Sequence, residues 1–495
     1  MVKKMSILHP MAALRTKYVA PPIPRILIHR GTAGDAVGVS EYGDRIRDIL
    51  GEKAHFVVDV CSDGANWAAP SATVAQGTFM RRFERLDLNG VDEVVECFLG
   101  DCGDAEKYAG TGEKGITSRM GRNDGSLGDV LSQGAYIALD RVLQFSPEEI
   151  ISRLADIGLT GRGGAHFPVA QKWQFARAHA DQQKILVVNA EEGEPGVFKD
   201  RHMLEGDPHR LIEGILIAHH SVGFEAVYIY VNGQAKQARL SLEKALLDAA
   251  QAGITGGECW ERNFQLTINV RSGAGGYVCG EESVILNSIE GKRPVPRYKP
   301  PFATDFGLFG KPTVINNVET LCAVTTLFDN PPPQTKLISL SGDVPRPGLY
   351  EVPIDGAMTW SGMIANAGRN PQEIKALLVG GPSGEFIHFQ QFDDVLEMSR
   401  LGAGGVVVLN SVADIQHITN SLASYNKRES CGECTPCREG SERLVNLLAN
   451  VHENEKKIYE LVEIMTESSL CQLGGMAGRP VLSALEQFKQ EFENS

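Results

Sequence analysis

The sequence predicts a multi-domain α/β protein that closes in a cysteine-bearing segment, and three observations carry this reading. At 495 residues the chain is too long for one ordinary domain, and its length suggests about three or four, each able to bury a core. Through its middle, apolar strand-like runs alternate with amphipathic helical runs, the order that builds an α/β core. Near its end Cys431, Cys434 and Cys437 stand two residues apart from one another, and a lone Cys471 follows.

Composition narrows the function classes. Hydrophobic residues make up 42% and charged residues 22%, as in a soluble globular protein. The net charge is −14 and no long basic stripe interrupts it, so nucleic acid is not an expected partner. No apolar run reaches the roughly 18 residues that a membrane span requires, so direct membrane insertion is not expected. The basic start is broken by His9 and Pro10 and reads as a tail rather than a signal peptide. Ten cysteines in so long a chain do not make a disulfide scaffold, and a metal-binding use implies a reducing, cytoplasmic setting.

Taken in order, residues 1–24 end in Pro21-Pro22-Ile23-Pro24 and read as a linker or extended arm. Residues 25–29 read as a strand, 42–50 as a helix and 55–60 as a second strand. Together they predict a small α/β domain over 25–103. Cys61, Cys97 and Cys102 lie within it, one thiol short of a four-thiolate site, and read as buried or idle thiols without a cluster. Residues 104–133 are rich in Gly, Asp, Lys and Ser and read as a linker.

A larger α/β unit is expected over 134–334. A helix is expected over 134–145. Ser146, Pro147 and Glu149 then supply the N-cap, first-turn proline and capping-box acid of another helix, running to about 156. The loop 158–168 holds Gly161, Arg162, Gly163, Gly164, His166 and Phe167, and glycines this dense let a backbone approach a phosphate or a flavin ring. The strand 184–189 ends in an acidic turn with Glu191, Glu192, Gly193 and Glu194, where α/β proteins place ligands. A helix over 210–223, a strand over 226–231, a helix over 235–252 and a strand over 264–270 follow. The last strand opens into Gly273-Ala274-Gly275-Gly276-Tyr277-Val278-Cys279-Gly280-Glu281-Glu282. A helix over 283–290 precedes a basic, proline-rich loop with Arg297, Lys299 and Phe302. Neither G-x-G-x-x-G nor a Walker A pattern is present, so a nucleotide here binds outside a Rossmann or P-loop frame.

Three thiols two residues apart, closed by a distant fourth, suit an iron–sulfur cluster held by four thiolates. A tetrahedral zinc and a disulfide with spare thiols are the alternatives that spacing leaves open, although zinc more often uses two separated pairs.

Six motifs then carry a resemblance over about residues 134–490. They are Gly-Arg-Gly-Gly-Ala-x-Phe-Pro at 161–168, Asn-Ala-Glu-Glu-Gly-Glu-Pro-Gly at 189–196, Gly-Ala-Gly-x-Tyr-x-Cys-Gly-Glu-Glu at 273–282, Lys-Pro-Pro-Phe at 299–302, Asn-Asn-Val-Glu-Thr at 316–320 and Ser-Cys-Gly-x-Cys-x-Pro-Cys-Arg at 430–438. The chain resembles the FMN- and NADH-binding flavoprotein subunits of respiratory complex I, of NAD-reducing hydrogenases (the diaphorase subunit) and of NAD-dependent formate dehydrogenases (the beta subunit). The resemblance implies FMN, NAD(H) and a [4Fe-4S] cluster as cofactors, the last held by Cys431, Cys434, Cys437 and Cys471. It implies a thioredoxin-like domain over 25–103, a non-classical FMN- and NAD-binding domain over 134–334, a β-grasp (SLBB) domain over 335–400 and a helical cluster domain over 401–495.

Carried onto matching positions, the resemblance implies that Gly161, Arg162, Gly163 and Gly164 approach FMN. Asn189, Glu191, Gly193, Asn316 and Asn317 would hold its ribityl chain and phosphate, Lys172 would meet the anionic cofactor, and Tyr277 and Gly280 would line the isoalloxazine. Phe167, Phe175 and Phe302 would form a slot for the adenine of NAD, with Glu192, Glu281, Glu282 and Lys299 around its sugars and phosphates. A carboxylate at Glu192 would repel a 2′-phosphate and so favour NAD over NADP. No catalytic side chain is implied, because hydride passes from cofactor to cofactor. His166 stands where the family usually has Gly, Glu191 where Asp is usual, and Val169 where Thr is usual. Implied partners are a [2Fe-2S] thioredoxin-like subunit and a larger iron–sulfur or catalytic subunit. The fused N-terminal domain and the sequence after Cys471 look most like the soluble formate dehydrogenase branch, with a hydrogenase diaphorase or a complex I subunit next. A non-catalytic relay module is the reading from another class.

Overall fold

In the computed structural model, residues 10–20, 23–60, 63–76, 79–100, 115–181 and 183–492 are described. The N-terminal sheet holds β1 (Arg25–His29), β2 (Val57–Val60), β3 (Ala72–Gln76) and β4 (Phe79–Phe83) in the order β2-β1-β3-β4. β1 runs parallel to β2 and antiparallel to β3, and β3 is antiparallel to β4. The helices Val39–Leu50 and Leu88–Leu99 cover it, packing Val39, Ile46, Val91 and Val94 on Ile26, Ile28 and Val74. The second strand starts at Val57 rather than 55, because 51–56 coil into a 3-10 turn.

Three expectations for this half of the chain are corrected. The N-terminal arm contains a helix, Pro10–Tyr18, whose Met11 and Leu14 are buried in the central core, while residues 1–9 lie outside the described residues. The linker is in part core: Ile116, Met120 and Leu127 belong to the same hydrophobic cluster. There Arg119 reaches Asp207 at 2.8 Å with both side chains buried; residues 104–114 lie outside the described residues. Cys97 is buried and disulfide-bonded rather than idle; Cys61 and Cys102 lie outside the described residues.

The central sheet holds β5 (Lys184–Ala190), β6 (Phe224–Val231), β7 (Thr267–Ser272) and β8 (Thr313–Asn317) in the order β7-β6-β5-β8, all parallel. β5 is central, and Ile185, Leu186, Val187 and Val188 are all buried. That explains its unbroken apolar run, since a parallel strand is covered on both faces. The helix Pro208–Val222 is buried along nearly its whole length, begins where Asp207 accepts the Arg210 N–H, and ends at Gly223 with φ 84°. The capping box foreseen at Ser146 forms in both directions at the start of Pro147–Asp156. Because the strands are parallel, Asn189, Ser272 and Asn317 end at one edge, where α/β sheets bind ligands.

A third sheet follows: β9 (Thr335–Gly342), β10 (Gly348–Pro353), β11 (Ile374–Val379), β12 (Glu385–His388) and β13 (Gly405–Asn410), ordered β10-β9-β13-β11-β12. β13 pairs with both β9 and β11, so this unit reaches 410, beyond the expected limit of 400. The helices Ile415–Glu429, Thr435–Leu447, Val451–Ser468, Gln472–Met476 and Arg479–Gln487 complete the chain. No helix among the described residues is long and apolar enough to cross a membrane.

Candidate functional site

The first glycine loop is closed at its base, where Thr160 bridges Pro168 and the Gly161 N–H donates to the Phe167 carbonyl at 2.9 Å. Inside it Gly164 has φ 112° and His166 φ 53°. The left-handed region favours glycine, so His166 holds a backbone conformation that residues with a side chain rarely adopt. A Cβ on Gly163 would lie 3.1 Å from the Asn317 Cβ, so the loop passes directly over the end of β8. Arg162 departs from expectation. Its side chain is buried and turned to Met398 in the third sheet's unit, at 3.2 Å from the sulfur, so only its backbone remains with the loop.

At the end of β5, the Asn189 amide donates to the Gly280 carbonyl at 2.9 Å, joining the first acidic turn to the second glycine loop. Glu191 is fully buried and accepts the Gly275 N–H at 2.8 Å, while its other oxygen has no partner. Burial pushes its carboxyl up to about 7. Glu192 is held at φ 30° and accepts the Asp200 and Arg201 N–H groups at 2.6 and 3.1 Å. It therefore caps the helix Lys199–Gly206 rather than presenting its carboxylate to a ribose. Burial, with the neighbouring Asp200, pushes it up to about 7. A Cβ on Gly193 would meet the Gly276 carbonyl at 3.1 Å. Asn316 is buried and accepts the Trp173 indole N–H at 2.9 Å. The Asn317 amide donates to Asp200 at 2.5 Å, and its carbonyl accepts from Lys199 at 3.1 Å.

The second glycine loop turns at Tyr277–Gly280. Tyr277 takes its backbone N–H to Glu429 at 2.9 Å and its hydroxyl to Ser383 at 2.5 Å, with its ring 5.8 Å from Tyr425. It faces the third sheet and the cluster helices, and burial raises its phenol well above the usual value. A Cβ on Gly280 would meet open space. Glu281 caps the helix Glu282–Ile289 through the Ser283 and Val284 N–H groups and pairs with Lys299 at 3.1 Å. Glu282 pairs with Lys172 at 2.7 Å, and that ammonium lies 5.8 Å from the Phe167 ring centre. Phe167, Phe175 and Phe302 are 41%, 51% and 56% exposed, aromatic surface on which a planar ligand can stack.

The four cysteines converge. Cys431, Cys434, Cys437 and Cys471 line one cavity with Val278, Pro296, Leu470, Leu473 and the charged Glu433, and all four thiols are free. Cys434 stands at the N-cap position of the helix Thr435–Leu447 and Cys471 at that of Gln472–Met476, neither with a side-chain cap bond, and Cys437 lies in the first turn of Thr435–Leu447. A Cβ on Gly474 would lie 2.7 Å from the Cys437 Cβ, so only glycine lets the Cys471 helix approach so closely. Four free thiols around a largely apolar cavity suit a multi-iron cluster better than a single zinc.

Sequence reading passed over several of these participants. Trp173 and Ser383 lay outside every motif, and Lys336, whose ammonium reaches the first glycine loop, is a single lysine at the start of a strand. Asp200 follows the acidic turn but lies outside its motif, and Glu319 is one member of the motif at 316–320.

The fold and the two linked sites define a flavin- and iron–sulfur-dependent oxidoreductase of the NADH dehydrogenase class. The family profile described as the Nuo51 FMN-binding domain matches residues 154–326, and that of the NADH-ubiquinone oxidoreductase-F iron-sulfur binding region matches 417–495. The second F subunit of the NADH-quinone oxidoreductase of Rhizobium meliloti is 37% identical over 387 residues, 72% of this chain and 91% of that protein. HndC, a component of the NADP-reducing hydrogenase of Solidesulfovibrio fructosivorans, is 33% identical over 394 residues, 74% of this chain and 80% of that protein. A chain of an NAD+-reducing [NiFe]-hydrogenase in its H2-reduced state superposes with a TM-score of 0.68 at 29% identity, covering 98% of this chain and 87% of that one. The chain belongs to the family of NADH-quinone oxidoreductase F subunits, and it takes FMN, NADH and a [4Fe-4S] cluster.

Proposed function

We propose that this chain oxidises NADH, or reduces NAD+, at an FMN seated between its two glycine loops, and exchanges electrons with a partner through the cluster at Cys431, Cys434, Cys437 and Cys471. FMN accepts hydride as a pair of electrons and releases electrons singly, and the cluster carries them one at a time. The backbone at Gly161, Gly163, Gly164 and Gly193 approaches the flavin closely, and Asn189, Asn316 and Asn317, each fixed by its own hydrogen bonds, keep the cradle in register. Lys172 neutralises part of the bound phosphate charge. Phe167, Phe175 and Phe302 stack the adenine and exclude water, while Glu282 and Lys299 orient the rest of the dinucleotide. The observation that carries the reading is the turn Tyr277–Gly280. Gly280 bonds to the flavin side through Asn189, and Val278 lines the cluster cavity, so one turn joins the two cofactor sites.

Anaerobic titration with NADH tests this, with FMN and iron assayed on the same sample. Flavin bleaching with substoichiometric NADH is expected; FMN that stays oxidised would sink the reading. NADPH run in parallel measures the coenzyme preference. Because the Glu192 and Glu281 carboxylates both cap helices, discrimination against NADPH rests on Glu282 in this reading.

We place the electron partner in a soluble cytoplasmic complex, with a [2Fe-2S] thioredoxin-like subunit and a larger iron–sulfur or catalytic subunit. An NAD-dependent formate dehydrogenase is our first assignment, supported by the fused N-terminal domain and the sequence after Cys471. A hydrogenase diaphorase is the second reading, supported by the superposition of 98% of this chain on the NAD+-reducing hydrogenase chain. Copurification with a molybdenum or with a nickel subunit separates the two.

A further inference from the structure

We propose that Lys336, which belongs to the third sheet and not to the flavin-binding domain, is a positioning residue that aims the Gly163 N–H at FMN. The proposal rests on the reading that the loop 161–168 holds the flavin. Lys336 is the second residue of β9 and is fully buried. Its ammonium has three N–H bonds and three acceptors: the Arg162 carbonyl at 3.1 Å, the Ala403 carbonyl at 3.2 Å and Glu319 Oε2 at 2.6 Å. The same Arg162 residue donates its own N–H to Thr320 Oγ1 at 2.9 Å. Both peptide groups of Arg162 are thus held from below.

A trans peptide sets its N–H opposite its C=O. With the Arg162 carbonyl directed down onto Lys336, the Gly163 N–H points the other way, to the side where Gly163 is exposed. A second chain of bonds supports the same loop. Glu319 also approaches Lys199 at 3.2 Å, Lys199 bonds Asp200 at 2.6 Å and Asn317 at 3.1 Å, and Asn317 is the side chain beneath Gly163. The loop is therefore aimed by a network that begins in another domain, and a flavin donor depends on how that domain is seated. The groups facing the ammonium are Glu319, Lys199 and Asp200, with Arg162, His166 and Glu194 around them. Burial, reinforced by Lys199, pushes Lys336 down to about 8. A neutral amine has one N–H fewer for its three acceptors.

The test uses the full chain with Lys336→Met and with the double substitution Lys336→Met/Glu319→Gln, which removes both buried charges and guards against simple misfolding. FMN affinity is read by quenching of flavin fluorescence on flavin-stripped protein, and amide hydrogen exchange is read over 161–168. Expected are a roughly tenfold weaker FMN affinity and faster exchange in 161–168 for both variants, with iron content unchanged. The unsubstituted protein is expected to lose FMN affinity above about pH 8, as the amine deprotonates, and the variants to lose this dependence. FMN affinity within about twofold of the parent in both variants, with unchanged exchange, overturns the role of Lys336. If FMN fails to protect 161–168 even in the unsubstituted protein, the loop assignment itself falls instead.

Discussion

Glu194→Gln should make the protein more stable at alkaline pH and leave it nearly unchanged in mild acid. Glu194 lies in the turn after β5, where one carboxyl oxygen is buried with no partner and a Cβ on Gly381 would meet the side chain at 3.2 Å. Burial pushes the carboxyl from 4.5 up to about 8, although Lys199 and Lys336 pull it down. Between these two values the unfolded chain releases the proton while the folded one keeps it, so stability falls as pH rises through that window. The stabilisation is complete below about pH 4.5 and lost once pH passes about 8. Each pK unit is worth about 1.4 kcal/mol, so by about pH 7 the loss is about 3 kcal/mol as an upper bound. Glutamine has the same shape and no proton to release, so the substituted protein lacks this slope. Thermal unfolding followed by circular dichroism should give matching midpoints at about pH 5 and a gap of a few degrees at about pH 8 in favour of the Glu194→Gln protein. Parallel midpoint-versus-pH curves for the two proteins would refute the argument from burial.

Other substitutions separate the two sites. Cys471→Ala removes one of four ligands and should lower iron content and abolish the low-temperature cluster signal, while FMN still binds and is still bleached by NADH; full iron retention would contradict the ligand assignment. Gly193→Ala puts a Cβ 3.1 Å from the Gly276 carbonyl oxygen and 3.2 Å from the Tyr277 Cα, so the neighbour that must give is backbone. FMN affinity should drop roughly tenfold, measured by fluorescence quenching. Ser146→Ala breaks the capping box of Pro147–Asp156 and should cost about 1 kcal/mol in denaturant unfolding, with no change in flavin or iron content.

Local chemistry made much of this protein legible from its sequence. Three thiols two residues apart and a distant fourth announce a cluster, because one compact group needs closely spaced ligands. The capping box at Ser146 and the apolar run of β5 were readable for the same reason: each is set by residues within a few positions of one another. The glycine loops were visible as loops, and the resemblance of six ordered motifs supplied the cofactors.

Tertiary structure decided which way the side chains in and between those motifs point. Arg162 and Glu192 both sit inside motifs that announce a cofactor site, yet one guanidinium is buried toward Met398 and one carboxylate caps a helix. Residues 115–133 read as a linker because they are polar and glycine-rich, but Arg119 finds Asp207 88 positions away, and a buried ion pair has no signature at that separation. The sequence by itself determined the chemistry available: which residues can ligate iron, cradle a phosphate or stack an adenine. Only the fold determined the aim of those groups. A lysine at the start of β9 and a carbonyl in the glycine loop, 174 positions apart, meet only when two domains are packed together, and hydrogen bonds between such distant groups leave no periodicity for a sequence to carry.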